Sequence, residues 1–261
     1  MVRRVCYTTD MEVSIQDNER LDDLQYAGLR LIQRPGEYCF TSDAVLLSNY
    51  ARVRAGGTIV DLGTGNGVIA LLVAAKTAAA QVVGIELQPE VARLAQRNVV
   101  YNGLQARVRI VQGDVANAAQ LLGKECAQTV VTNPPYFPMP SGLKRATPSA
   151  ALSRHESSCD LNEWIRSAAD LLQWGGSLYM IHKTERMAEV LSALTARNLA
   201  PKRVTLIFPK ASKQADTFIV QAKKGGKHGM RLDTLIVYEE SGAMTAAARK
   251  LYHKSDSATA L

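Results

Sequence analysis

Between Thr58 and Lys224 short β-branched runs alternate with longer runs of helical period, and this alternation restricts the architecture more than any other feature of the chain. TIVDLG (58–63), QVVGIEL (81–87), ARVRIVQGD (106–114), QTVVTN (128–133), GSLYMIHK (176–183), RVTLIFPK (203–210) and TFIVQAKK (217–224) read as seven strands. Helical segments fall between them. An alanine-rich run starts at Val68, PEVARLAQRNVVYNG opens with Pro89 and closes at Gly103, and a short helix ends near Gly123. DLNEWIRSAADLLQWGG places Asp160 at an N-cap and Gly175 as terminator, and a further helix covers Thr184 to Asn198. The expected fold is therefore α/β: a doubly wound, mostly parallel seven-stranded sheet with helices on both faces. The last two strands have little helix between them and are expected to form an antiparallel edge hairpin. Before the sheet, GLRLIQRPGEYCF (28–40) carries Pro-Gly between two extended segments and predicts an N-terminal hairpin lid.

In an open α/β sheet ligands bind at the carboxyl ends of the strands, and the candidate motifs all fall there. Asp61-Leu-Gly-Thr-Gly-Asn-Gly67 turns from the first strand into a helix, its glycines permitting a tight turn and close approach to bare backbone. A dinucleotide fingerprint needs Gly or Ala at position 68, where this chain has Val68, so an NAD site is disfavoured. Glu86 ends the second strand, where a carboxylate can accept both hydroxyls of a ribose. Asp114 follows the third, where a side chain can receive an adenine amine. The alternative is that Asp61, Glu86 and Asp114 serve only as caps or surface acids. The fourth strand stops at Asn133-Pro134-Pro135-Tyr136, since neither proline can donate to a ladder and the first restricts Asn133.

Together, D-L-G-T-G-N-G, the strand-end Glu86, Q-G-D ending at Asp114 and N-P-P-Y resemble the S-adenosylmethionine-dependent methyltransferases of the Rossmann-like class. The resemblance spans about residues 40 to 225. FTSDAVLLSNYA (40–51), N-P-P-Y-F and the terminal DTLIVYEESGAMTAAARKLY are similar, more narrowly, to bacterial enzymes that methylate adenine N6 beside the anticodon of a valine tRNA. The resemblance implies S-adenosylmethionine as cofactor, held by Asp61, Gly63, Gly65 and Glu86, with Asp114 at its adenine and Thr41 and Asp43 closing the methionine side. Asn66, Gly67, Leu87, Val115 and Asn133 are expected in the same pocket. Residues 1–50 are expected to form an extension and lid on a Rossmann-like domain over 51–261.

The quartet has a chemical reading of its own. An adenine exocyclic amine has its lone pair delocalised into the ring and no proton to remove before attack at neutral pH. It needs a pair of acceptors that hold its two N–H groups and turn the lone pair towards the methyl donor. The Asn133 side-chain oxygen and the Pro134 carbonyl are the expected pair, with Pro135 fixing the turn and Tyr136 offering a face to the base. Alternatively Asn-Pro-Pro is only a turn and Tyr136 a core aromatic.

Charge bears on the partner. The chain is +7 overall, yet Arg197 to Arg231 holds nine basic residues against the single acid Asp216. Such clustering suits a polyanion, though it could also be a solvated face that aids solubility. Lys210, Lys223 and Lys224 are the expected RNA contacts there. Residues 137–159 read as a long loop, with Lys144, Arg145 and Arg154 expected near the target and His155 either at the surface or on RNA. Cys6, Cys39, Cys126 and Cys159 lack metal or disulfide spacing and read as free thiols, and no metal is expected. Without a signal peptide or an apolar span the protein is expected to be cytoplasmic. Its oligomeric state, monomer or homodimer, is left open. Rival functions are methylation of a glutamine amide in a release factor, methylation of DNA adenine or rRNA guanine, and non-catalytic RNA binding on a nucleotide fold.

Overall fold

A computed structural model describes residues 13–36, 41–136 and 160–252. Strands β1 (Arg20–Asp23) and β2 (Arg30–Gln33) form an antiparallel pair. Eight further strands make one sheet: β3 (Thr58–Leu62), β4 (Gln81–Glu86), β5 (Val108–Gln112), β6 (Ala127–Thr132), β7 (Leu172–Lys183), β8 (Leu199–Lys210), β9 (Thr217–Lys224) and β10 (Arg231–Tyr238). Their spatial order is β10-β8-β9-β7-β6-β3-β4-β5, and β9 alone runs against its neighbours. Helices α1 (Ser42–Tyr50), α2 (Val68–Lys76) and α3 (Pro89–Tyr101) cover one face, and α4 (Ala118–Leu122), α5 (Leu161–Leu171) and α6 (Met187–Ala196) the other. A last helix, α7 (Ala246–Leu251), packs on β10.

Two apolar layers result. One joins α1 and α2 to Ile59, Val131 and Ile181 of the sheet; the other joins α5 and α6 to Val60, Val130 and Met180. Side chains of successive strand residues alternate between these layers, as the period-two geometry of a strand buried on both faces requires. Helix α2 is buried continuously from Val68 to Ala74, which explains its uninterrupted apolar sequence. Helix α5 begins with a capping box: Asp160 accepts from the Glu163 amide, and the Glu163 carboxylate accepts from that of Asp160.

The expected sheet is present with four differences. RLDTLIVY supplies an eighth strand, with Leu235 and Val237 buried and Leu232 and Ile236 exposed. The β8–β9 hairpin is therefore interior: β9 inserts between β7 and β8, and β10 takes the edge. Gly175 does not terminate α5. The helix stops at Leu171, where the Lys224 ammonium donates to the Ala169 and Leu172 carbonyls, satisfying its last turn. Gly175 instead lies, at φ +78°, in a bulge where the β6–β7 register steps from Ala127–Leu172 to Thr129–Ser177. Finally, the segment expected to fold back across Pro35-Gly36 pairs in the other direction, Arg30–Gln33 joining Arg20–Asp23; the other proposed arm lies outside the described residues.

That hairpin is bonded to α3. Asn98 and Asn102, one helical turn apart, present their amides to alternate residues of β2 in the manner of a neighbouring strand. Asn102 Oδ1 accepts from the Arg30 amide at 2.9 Å and its Nδ2 donates to the Arg30 carbonyl at 2.7 Å. Asn98 repeats this at Ile32, at 2.7 and 3.1 Å, and donates again to the Asn66 carbonyl at 3.0 Å. Glu19 adds an ion pair with Arg97, whose guanidinium holds its carboxyl below the usual range although burial opposes this.

Asn98 is fully buried, so Asn98→Ala leaves the Ile32 and Asn66 groups without partners. The expected loss of stability in urea denaturation is about 3 kcal/mol, against under ~1 kcal/mol for Asn102→Ala beside solvent. Equal, small losses at the two positions would contradict this account of the hairpin.

Candidate active site

Register places the site. Leu62 of β3 pairs with Thr132 of β6 on one side and Ile85 of β4 on the other, and Glu86 pairs with Gln112 of β5. Gly63, Asn133 and Glu86 therefore leave the sheet side by side, with about 4.8 Å between neighbouring strands. The Thr132 hydroxyl donates to the Leu62 carbonyl at 3.0 Å, tying the two strand ends together.

The glycine turn is close-fitting on one side and open on the other. Gly63, at φ +69°, lies against the Trp164 ring of α5, where a Cβ would come within 2.4 Å of the indole. Gly65, at φ +56°, faces open space: an added Cβ would meet nothing within 4 Å among the described residues. Only glycine meets both conditions without strain. The Gly65 amide donates to Glu86 Oε2 and the Gln88 amide to Glu86 Oε1, each at 3.0 Å, so Glu86 is held from both sides while its remaining lone pairs stay available to hydroxyl donors. Burial raises its pKa.

Asp61 is fully buried and carries the most perturbed carboxylate described. Desolvation, with a smaller contribution from nearby Glu86, pushes its pKa up to about 7 even though Thr64 and the Ala70 amide favour the charged form. Thr64 Oγ1 donates to Oδ2 at 2.6 Å, and Oδ1 has no partner among the described residues. An unpaired buried carboxylate oxygen beside a glycine turn is suited to a ligand bearing donors or positive charge.

The other expected pocket residues divide by what they already hold. Asp114 caps the turn over Val115–Asn117, its Oδ1 accepting from the Ala116 amide at 2.9 Å, and Val115 is buried behind it. Leu87 follows Glu86 and is half-buried. Gly67 is the left-handed residue preceding α2. Asn66 is turned from the opening: its Nδ2 donates to Gln33 of β2 at 3.2 Å and its carbonyl accepts from Asn98. It braces the turn. Thr41 is exposed at the start of α1.

Asn133 is half-buried, Pro134 buried and Pro135 exposed. Tyr136 is held from several directions. Its hydroxyl donates to Asp43 Oδ2, and its carbonyl accepts from Arg186 Nη1 at 2.9 Å, while Arg186 is itself clamped by Glu189. Lys183 Nζ lies 5.3 Å from the ring centroid, and the His182 ring packs at 5.4 Å with a 57° tilt. Fully buried His182 has its pKa lowered to about 4 by desolvation, helped by Arg186, and is neutral at pH 7. Asp43 thus acts on the quartet, bringing the start of α1 to the end of β6. Trp164, Asn98, Gln33 and Arg186 also support the site; each reads in sequence as an ordinary helix or strand residue, so only the fold assigns them.

The basic segment is not one surface. Because β9 is antiparallel, Thr217 lies beside Lys183 at the site edge, whereas Lys223 lies beside Ser177 at the opposite edge. Lys210 remains on the site side, its Nζ donating to the Glu240 carbonyl. Lys223 and Lys224 are some six residues of strand away, about 20 Å. Lys224, expected as an RNA contact, is bonded to Glu125 and the end of α5, with 15% of its side chain exposed. Lys144, Arg145, Arg154 and His155 lie outside the described residues. Cys126 is a free thiol. Among the described residues no cluster could hold a metal and no helix is long and apolar enough to cross a membrane.

Comparison with known proteins adds to this geometry. Residues 40–199 match the methyltransferase small domain family. A tRNA1(Val) (adenine(37)-N6)-methyltransferase of Porphyromonas gingivalis is 29% identical over 210 residues, covering 77% of this chain and 82% of that one. A protein of the same name from Actinobacillus succinogenes is 30% identical over 185 residues, covering 66% and 77%. Among solved structures, a protein described as a predicted O-methyltransferase from Agrobacterium tumefaciens aligns with a TM-score of 0.67 at 27% identity, covering 81% of this chain and 96% of that one.

The perturbed carboxylate gives a pH test. With a folded pKa of about 7 against an ordinary 3.8, Asp61 contributes stability that is fully present below pH 3.8 and lost as pH rises towards 7. His182, depressed from 6.5 to about 4, acts oppositely: its contribution is full above pH 6.5 and lost as pH falls through 4. Comparing Asp61→Asn with wild type isolates the first. The variant should gain about 2–3 kcal/mol relative to wild type between pH 5 and pH 8 in urea denaturation. A constant difference across that range contradicts the assignment.

Proposed function

Because the chain belongs to the methyltransferase small domain family and uses S-adenosylmethionine as its methyl donor, we propose that it methylates the exocyclic N6 amine of an adenosine in tRNA, beside the anticodon. The observation that carries this reading is the rigid Asn133-Pro134-Pro135-Tyr136 turn set one strand from the glycine loop.

The residues present fit the cofactor. Among the described residues Asp61 presents a buried oxygen without a partner, suited to a cationic ligand, and nothing crowds Gly65; Glu86 and Asp114 each retain acceptor capacity beside their backbone bonds. Asp61, Gly63, Gly65, Gly67, Glu86, Leu87, Asp114 and Val115 would hold it. When bound, it supplies a methyl group already activated by a sulfonium.

The chain then has to place an amine. Asn133 Oδ1 and the Pro134 carbonyl accept its two N–H groups, so that the nitrogen lone pair points across the gap to the glycine loop. Neutral acceptors suit this substrate, since a carboxylate would gain nothing from an amine with no proton to yield before attack. The backbone is stiff at both prolines, and Arg186 fixes the carbonyl just beyond them. Tyr136, its hydroxyl tied to Asp43, presents its ring to the planar base. A base inside a structured RNA has to be splayed out to arrive here. The relatives named for tRNA adenine methylation support adenine in tRNA over a protein amide.

Purified protein with labelled cofactor is expected to label bulk small RNA. Asn133→Ala should lower transfer at least a hundredfold, the order attributed to lost positioning, and leave cofactor affinity within about threefold. Label passing to release factor rather than RNA would replace the proposed substrate with a glutamine amide; cofactor binding with no transfer to either would leave an RNA-binding role.

A further inference from the structure

The edge of the sheet farthest from Asn133 carries a second, differently built surface. Trp174 is 70% exposed, the most exposed of the large apolar side chains described. One side of it is nevertheless packed. The indole packs against Gly225, where an added Cβ would come within 2.2 Å of the ring, and Gly225 in turn donates its amide to the Asn198 carbonyl at 2.9 Å. The bulge that projects Trp174 from β7 follows from the left-handed Gly175, and the Lys223 stem passes 3.9 Å from where a Gly175 Cβ would be. The loop is stapled too: Lys202 Nζ donates to the Lys227 and Gly229 carbonyls at 3.1 and 2.8 Å.

Around this ring the charge has one prevailing sign. Lys223, Lys227 and Arg197 are exposed, and none of them pairs with a carboxylate among the described residues. Two of the neighbouring acids are already engaged, Glu125 by Lys224 and Asp233 by Arg203 and Arg231, and Asp170 at the end of α5 is a nearby acid with no ion pair among the described residues. An exposed indole packed on one side, among cations without carboxylate partners among the described residues, suits unpaired nucleic-acid bases, with stacking on the ring and phosphates on the lysines.

We propose that this surface is a second RNA contact, stacking an unpaired base of the substrate on Trp174 at the edge of the sheet opposite the methyl-transfer site. The inference rests on the RNA reading above and extends it: the substrate spans about 20–25 Å, from the end of β6 to the bulge in β7. An isolated loop carrying the target adenosine reaches only one of the two places. Charge clustering along the sequence indicated RNA without saying where; strand direction separates these cations from the site, and Trp174 makes their surface selective for exposed bases.

The test uses the full chain, whose other tryptophan, Trp164, is buried. A bulk tRNA pool should quench Trp174 emission saturably, more strongly at low than at high salt, and the quench should vanish in Trp174→Phe. With tRNA as substrate, Trp174→Ala should raise KM about tenfold with kcat within about twofold, and Lys227→Glu should raise it further at low salt. A short stem-loop bearing the target should show no KM difference between wild type and Trp174→Ala. Methylated tRNA with emission and KM unaffected by Trp174 overturns the second contact and leaves the proposed function standing. Quenching by RNA that is never methylated sustains the contact and removes the function. A blue shift on phosphatidylserine vesicles with no response to RNA assigns the surface to a membrane and overturns the proposal.

Discussion

Parallel pairing of β3, β4, β5, β6 and β7 delivers the glycine turn, Glu86, Asp114 and the Asn-Pro-Pro-Tyr turn to one edge of the sheet, and the candidate chemistry depends on that coincidence. A strand ending in proline makes a turn in any fold. Here it ends one strand from a loop whose backbone is bare at Gly65, with Thr132 bonded across to Leu62 so that the two ends cannot separate easily. The single antiparallel strand β9 has the opposite effect, carrying a run of cations that is continuous in sequence to the far edge.

Electrostatics and rigidity serve the same end from different residues. Asp61 and Glu86 are buried carboxylates beside each other, an unfavourable arrangement that a bound cationic nucleoside would relieve. Tyr136, by contrast, is already satisfied by Asp43 and Arg186, so the acceptor turn is ordered before any substrate arrives. Beneath the glycine turn, Asn98 and Asn66 join it to the N-terminal hairpin, making β1 and β2 part of the support of the cofactor loop.

Much of this was legible in sequence because local rules and the global fold agree. Asp61 to Gly67, the strand-end acids and the proline quartet all occur where an α/β sheet places its ligands. The capping residue Asp160 was readable from its spacing to Glu163. The eighth strand alternates in burial, Leu235 and Val237 inward and Leu232 and Ile236 outward, but its sequence runs Leu-Ile-Val-Tyr with no polar break to mark which face is covered. What escaped depends on contacts distant in sequence. Asn98 looks like a solvated helix residue and is buried, bonding a strand 66 residues earlier. Lys224 looks like part of a basic surface and is the cap of α5. The short connection between β8 and β9 marks them as antiparallel, but which strands they insert between, and so where their lysines emerge relative to the site, depends on pairing distant in sequence.

An adenine amine held by Asn133 and Pro134 is the centre of the proposed chemistry. Mass spectrometry of nucleosides from cells lacking this chain tests that most directly. It should show loss of N6-methyladenosine from one tRNA position, restored by the wild-type chain and not by an Asn133→Ala copy. An unchanged nucleoside profile, or full restoration by Asn133→Ala, contradicts it.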